Sequence, residues 1–210
     1  MLDFAITTFV TFFVIFDPPG TVPLFLSFTR GLNEAERRAA AIKATLIAGI
    51  VLLFFGLVGD VFLRSLGITI PAFRIAGGLL LLLLAIDMVF VRHSGLRDTT
   101  EEEAREARRR DDVSVFPLAV PTIAGPGAIT SIVMIMRDRA DDLTAQAVTI
   151  GLLIVVLGLN LVAFLLANRI MRLMGETGIN VITRVLGIVL AAVAIQFIGD
   201  GVYDFWTRRG

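Results

Sequence analysis

The sequence contains no cysteine, and its 210 residues include only one histidine, one tyrosine and one tryptophan. Without cysteine the chain has no disulfide, no thiolate nucleophile and no cysteine-ligated metal site. Basic and acidic residues number 19 each, so the net charge is zero and nothing favours nucleic acid as a partner. No membrane segment pairs a nucleophile with a base, so we expect a protein that is not an enzyme.

Apolar residues dominate the composition. They make up 56% of the chain, and the mean hydropathy of +0.85 is far above that of a soluble protein. A helix that crosses a bilayer needs about 20 mostly apolar residues. Six segments meet this condition, at residues 4–29, 44–63, 68–91, 113–136, 143–167 and 181–203. The sequence therefore predicts an all-α membrane protein with six transmembrane helices in a single domain, residues 1–210.

Lysine and arginine outside these segments are concentrated on one side of the predicted bundle. The residues on that side are Arg30, Arg37, Arg38, Lys43, Arg92, Arg97, Arg105, Arg108, Arg109, Arg110, Arg169 and Arg172. Because cytoplasmic loops carry the excess of positive charge, both termini are predicted to be periplasmic or extracellular in a multi-pass protein of the cell inner membrane. Residues 1–3 lack a basic stretch, so we expect the first segment to be a structural span rather than a cleaved signal peptide.

Residues 92–112 form the one long polar stretch of the sequence. Thr100 and Glu103 have capping-box spacing, which predicts a short helix in a charged cytoplasmic linker. His93 and the glutamates at 101–103 could be considered as metal ligands, but their spacing is typical of a solvated charged face. We therefore expect no metal site and no cofactor.

The linker separates two halves, residues 1–91 and 113–210, that share a sequence pattern. Residues 16–22 laid over 123–129 match Pro19 with Pro126 and Gly20 with Gly127. Further along the chain, residues 60–67 match 168–175, and Gly67 meets Gly175. Each half holds three spans, and an odd number forces the second half to enter the membrane from the opposite side. The sequence thus predicts two inverted three-helix repeats, a design common among secondary transporters.

Proline and glycine lie near the middle of the first and fourth segments. Proline removes a backbone donor and glycine permits irregular dihedrals, so helices 1 and 4 are predicted to be broken near the bilayer midplane. Exposed backbone at that depth must line a cavity enclosed by protein. An ordinary proline kink is the alternative for either break alone, but two breaks at corresponding positions favour a binding site.

The two breaks suggest complementary charges. Half-helices that begin near Thr21 and Ala128 present unpaired N–H groups, which attract an anion. Asp17 is the most central carboxylate and is expected to bind an ammonium group or a proton, or to cap the second half-helix. Asn160 lies deep in its span and is expected to join helices by hydrogen bonding. The predicted substrate-binding residues are Asp17, Pro19, Gly20, Thr21, Pro121, Thr122, Gly125, Pro126, Gly127 and Thr130.

The two motifs resemble those of the MarC family of integral membrane proteins. Phe16-Asp17-Pro18-Pro19-Gly20 through Pro23 is similar to the family's first signature, and residues 121–127, Pro-Thr-Ile-Ala-Gly-Pro-Gly, to its second. The family takes its name from a multiple antibiotic resistance locus and is also classed with neutral amino acid transporters. The resemblance implies that the motif residues, apart from Thr21 and Thr130, belong to the family's site.

The resulting hypothesis is a secondary transporter of small neutral amino acids or similar small solutes, driven by a proton or sodium gradient across the lipid bilayer. The sequence leaves two alternative functions open. One is a membrane protein with a structural or regulatory role, and the other is an exporter of other small anionic or drug-like solutes. A dry, tightly packed centre between the breaks would favour the structural role, whereas an enclosed polar cavity would count against it.

Overall fold

A computed structural model describes residues 1–91 and 113–207, and within these residues the chain is helical and forms no β-strand. The predicted linker helix and His93 lie outside the described residues. The helices, numbered in chain order, are α1 (Leu2–Phe16), α2 (Thr21–Phe28), α3 (Glu34–Ser65), α4 (Ile70–Phe90), α5 (Ser114–Ile123), α6 (Pro126–Asp138), α7 (Leu143–Leu165) and α8 (Ala167–Thr207).

Four of these helices, α3, α4, α7 and α8, are long and apolar enough to cross a membrane. Two bent pairs meet the same condition when each is taken as one span: α1 with α2, bent by 41°, and α5 with α6, bent by 58°. The described residues thus hold four to six candidate spans. Helices suit this role because each backbone N–H and C=O inside lipid finds its partner within the same segment. The prediction of an all-helical membrane protein is confirmed.

Two helices are longer than the sequence predicted. The second segment was predicted to begin at residue 44, but α3 begins at Glu34, where Asn33 and Glu36 form a capping box with two N–H···O distances of 2.9 Å. Residues after 167 were predicted to connect two spans, but α8 is helical there until Gly175, where φ is +62°. Both extensions are polar, so a search for apolar length alone misses them.

Small residues allow the helices of the two halves to approach closely, above all α4 and α8. A Cβ atom added at Gly78 of α4 would lie 2.9 Å from the carbonyl oxygen of Ala194 in α8. In the other direction, a Cβ at Gly187 of α8 would lie 3.0 Å from the backbone nitrogen of Val89. Backbone contact of this kind is the main source of helix association where the solvent is as apolar as the side chains.

Ion pairs fasten several helix ends together at one end of the bundle. Arg74 of α4 forms salt bridges with Asp138 of α6 and with Asp204 of α8, the latter at 3.2 Å. Asp60 of α3 pairs with Arg137 of α6, also at 3.2 Å. The Arg74 side chain is 12% exposed, so its charge is shielded from water and depends on these partners. The ends of α3, α6 and α8 therefore meet the beginning of α4 on the same side.

Substitution of Gly78 by alanine is expected to destabilise the fold. The added Cβ would lie 2.7 Å from Ile198 Cγ1 and 2.9 Å from Ala194 O, so α4 and α8 would have to separate. Overpacking of this kind costs about 1–3 kcal/mol. The matched control is Gly158→Ala in α7, where a Cβ meets nothing within 4 Å. Thermal unfolding of the purified protein in detergent should show a lower midpoint for Gly78→Ala only; equal midpoints would contradict this packing.

Candidate functional site

The first break separates α1 from α2 at residues 17–20. Asp17 ends α1 with φ of +44°, a left-handed conformation that aspartate tolerates better than most residues, and its N–H donates to Phe13 O at 2.9 Å. Pro18 and Pro19 follow and cannot continue the helix. Asp17 is 0% exposed. The break therefore places a carboxyl group in the interior of the bundle, as the sequence pattern predicted.

The Asp17 carboxylate is held by the residue that precedes α2. The N–H of Gly20, the N-cap residue of α2, donates to Asp17 Oδ1 at 3.1 Å. A Cβ at residue 20 would lie 1.9 Å from Asp17 Oδ2 and 2.6 Å from Thr183 Oγ1. Only glycine leaves room for the carboxylate at this point. No side chain of the described residues caps the first turn of α2, so the capping role of Asp17 stays a prediction, and the second carboxylate oxygen lies on the side of Thr183 in α8.

Polar groups of α7 and α8 complete a cluster around Asp17. Thr21 Oγ1 lies 3.1 Å from Pro18 O and 3.1 Å from Asn160 Oδ1 of α7, which is the interhelical link expected of Asn160. Asn160 is 1% exposed. Its Nδ2 and the Oγ1 of Thr183 are buried and have no hydrogen-bond partner in the described part of the chain. Buried polar atoms without partners are rare, so these two are candidates for binding a ligand.

The second break lies between α5 and α6. Pro117 and Pro121 interrupt α5, both after cis peptide bonds, and the backbone is extended at Phe116 and Val120. The remaining bonds in α5 reach five residues back, as in Ala124 N–H to Ala119 O at 2.8 Å. Within the described residues, no side chain caps the beginning of α6 at Pro126. The N–H groups of its first turn are therefore available to an anion.

A small cavity joins the second break to α1 and α4. Its lining residues are Ile15, Leu80, Leu84, Pro121, Thr122, Ile123, Gly125, Pro126, Gly127 and Ala128. The cavity measures about 10 Å³, roughly the space that the centre of one water molecule needs. Ile15 lies two positions before Asp17, and α1 also contacts α6 while α2 contacts α5, so the helices of the two breaks pack together inside the bundle.

All the predicted site residues except Thr130 fall into two groups. Asp17, Gly20 and Thr21 belong to the polar cluster with Asn160 and Thr183, and Pro19 is half-buried beside them. The residues at the second break that line the cavity are Pro121, Thr122, Gly125, Pro126 and Gly127.

Two predicted hydroxyl groups are engaged with their own backbone. The Thr122 hydroxyl donates to Pro117 O at 2.9 Å. The Thr130 hydroxyl donates to Pro126 O at 2.9 Å, and Thr130 packs its methyl group against Gly77 of α4 rather than lining the cavity. Thr183 is the residue that sequence reasoning missed, because one more threonine in an apolar helix carries no signal. Within the described residues no group of three or more His, Cys, Asp or Glu side chains could hold a metal ion.

Alanine at position 20 is expected to displace the Asp17 carboxylate, because the new Cβ and Oδ2 cannot both keep their positions. We expect a loss of about 1–3 kcal/mol of stability, measured as a lower thermal midpoint. Gly199→Ala is the control, since a Cβ there meets nothing within 4 Å. If the clash is with Asp17, the double variant Asp17→Ala/Gly20→Ala should lose less than the sum of the single variants. Additive losses would show that Gly20 acts elsewhere.

The sequence also matches known proteins along its whole length. The family model described as MarC family integral membrane protein matches residues 2–206. The UPF0056 membrane protein MJ1677 of Methanocaldococcus jannaschii is 36% identical over 201 residues, which cover 96% of this chain and 97% of that protein. The UPF0056 membrane protein YvbG of Bacillus subtilis is 34% identical, over 96% of this chain and 95% of its own. No solved structure matches the chain. The resemblance of the two Pro/Gly motifs is thus confirmed, and this multi-pass integral membrane protein belongs to the MarC family.

Proposed function

We propose that the protein is a secondary transporter of small neutral amino acids or similarly small zwitterionic solutes in the inner membrane. One observation carries the proposal. Two broken helices approach each other inside the bundle, and one contributes a fully buried carboxylate while the other contributes an uncapped helix beginning. Broken helices at corresponding positions of two halves mark the substrate site in many transporters.

The charges at the two breaks suit opposite ends of one molecule. The Asp17 carboxylate would bind the ammonium group of an amino acid, because carboxylates in membrane segments mark substrate and ion sites. The first turn of α6 would bind the carboxylate through backbone N–H groups at the positive end of the helix dipole. Gly125 and Gly127 bring that backbone close to the cavity. Leu80 and Leu84 complete an apolar wall that favours a small uncharged side chain.

The size of the cavity sets a condition on the transport cycle. About 10 Å³ is too little for even the smallest amino acid. Substrate binding therefore requires α1–α2 and α5–α6 to move apart, and such movements around a fixed site are the basis of alternating access.

Several features support an inverted repeat with three spans in each half. Gly67 follows α3, and Gly175 follows the corresponding residues 143–174. Both glycines have a positive φ, of +70° and +62°. In such a repeat α1 to α4 correspond to α5 to α8 in order, and the contacts between the halves are reciprocal. Helix α1 packs on α7 and its equivalent α5 packs on α3; likewise α2 packs on α8 and α6 packs on α4. The α3–α7 and α4–α8 contacts pair equivalent helices. This pattern is expected of a pseudo-two-fold axis.

The charges of the two ends support the proposed orientation. Arg30, Arg37 and Arg38 lie where α2 ends and α3 begins, and Arg169 and Arg172 lie in the first turns of α8. At the opposite end, three arginines are each paired with an acid: Arg64 and Arg137 with Asp60, and Arg74 with Asp138 and Asp204. The arginine-rich end would therefore be cytoplasmic, and both termini would lie outside.

The proposal is tested by uptake of labelled glycine, alanine and serine into liposomes that contain the purified protein, with and without proton or sodium gradients. We expect gradient-dependent flux in the wild type and at least about a tenfold loss in Asp17→Asn, because the substitution removes the charge that binds ammonium or the coupling ion. Asp3→Asn is the control, since Asp3 is exposed at the beginning of α1. A thermal midpoint for each variant confirms that it is folded.

The outcomes separate the roles of Asp17 from the proposal itself. Flux that survives Asp17→Asn would leave a transporter in which Asp17 only caps α2. Absence of flux in folded wild-type protein under every gradient would contradict the amino acid assignment. Liposomes loaded with other small anions or drugs would then test export, and a further absence of flux would leave a structural or regulatory role.

A further inference from the structure

A second cavity, distinct from the helix breaks, opens at the arginine-rich end of the bundle. It is a groove of about 880 Å³ between residues 34–42 of α3 and residues 164–169 at the junction of α7 and α8. Phe25 of α2 lies at its base, where its ring stacks on that of Phe164 with centroids 4.4 Å apart. A groove of this volume is large enough for part of an organic molecule.

Three arginines and one acid line the groove: Arg37, Arg38, Arg169 and Glu34. Arg37 Nη2 donates to Thr29 O at a long 3.4 Å, and its Nε is buried with no hydrogen-bond partner among residues 1–91 and 113–207. Arg38 and Arg169 have no acidic partner at salt-bridge distance in the described chain. The groove therefore carries a surplus of positive charge and at least one buried donor that calls for an acceptor.

Apolar side chains continue from this charged rim. Ile42, Leu165 and Leu166 line the groove and are 37%, 44% and 39% exposed. In an integral membrane protein, the molecules that cover such surfaces are lipids. A guanidinium cluster directly beside an exposed apolar surface matches a molecule with an anionic head and a hydrocarbon tail.

We propose that this groove is a binding site for an anionic phospholipid, with the phosphate on Arg37, Arg38 and Arg169 and an acyl chain against Ile42 and Leu165. Guanidinium groups bind phosphate oxygens through short, charge-assisted hydrogen bonds. Basic recesses between spans on the cytoplasmic side are suited to anionic headgroups, which are abundant in that leaflet. The site does not depend on transport, and it involves none of the residues at the helix breaks.

The two halves of the chain differ at this point. Helix α7 begins at Leu143 as α3 begins at Glu34, so Gln146 and Ala147 take the places of Arg37 and Arg38. The opposite end of the bundle consequently lacks the arginines that would form an equivalent groove. The lipid site is therefore confined to the arginine-rich end of the bundle, which suits a headgroup that is found mainly in the cytoplasmic leaflet.

The test compares lipid retention and thermal stability in the purified full chain. Native mass spectrometry in detergent with added phosphatidylglycerol or phosphatidylcholine should show retained phosphatidylglycerol, and phosphatidylglycerol alone should raise the thermal midpoint. In Arg37→Gln/Arg38→Gln/Arg169→Gln the affinity should fall about fivefold for each arginine removed. The control, Arg30→Gln/Arg172→Gln/Arg184→Gln, removes the same charge from exposed positions outside the groove and should retain the lipid.

Three results would overturn the proposal: equal retention of phosphatidylcholine, equal loss of lipid in the control triple, or equal stabilisation by glycerol phosphate without acyl chains. The last result would indicate a soluble anion instead. If the groove triple does not fold, the single variants Arg38→Gln and Arg169→Gln provide the comparison, because both side chains are exposed and support no packing. Unchanged retention in both would contradict the assignment.

Discussion

A carboxylate in the interior of an apolar bundle must find its hydrogen-bond donors inside the protein, and this requirement organises the first half of the chain. Asp17 accepts a hydrogen bond from Gly20 N–H, which becomes available only because two prolines end α1 before α2 begins. The hydrogen-bond donor, the space left by the missing side chain of Gly20 and the helix break thus depend on one another. The positions of Asn160 and Thr183 follow from it, since α7 and α8 must bring polar groups to the same place.

Much of this arrangement can be predicted from the sequence, because the residues that produce it act on their own backbone. Proline and glycine act on their own backbone, so both breaks were predicted at the right residues, and apolar length identified every candidate span. What was missed depends on distant neighbours or on polar sequence. Thr183 gains its role only when α8 packs beside Gly20, and the first turns of α3 lie beyond the apolar segment. The irregular backbone of α5, with extended residues between helical turns, follows no periodicity that a sequence pattern expresses.

In the proposed repeat, the two halves would share a scaffold, but their breaks differ in chemistry. The first break is polar, with Asp17 buried and Thr21 bonded to Asn160, while the second is lined mainly by glycine, proline and apolar residues around a small cavity. A similar divergence separates the arginine-lined groove at α3 from its counterpart at α7. Packing constraints act alike on both halves, so small residues at helix contacts recur, whereas charged groups are free to differ because each end faces a different environment.

The salt bridges of Arg74 have a mechanical consequence. They tie the end of α6 to α4 and α8 through Asp138 and Asp204. At the beginning of α6, at Pro126, no salt bridge is present among the described residues, and this end lies at the cavity. Helix α6 is therefore fixed at its C-terminal end, and a rotation of the helix would have its pivot near the ion pairs. A small tilt about that pivot produces its largest displacement at the backbone N–H groups beside the cavity, while the opposite end of the helix remains in place.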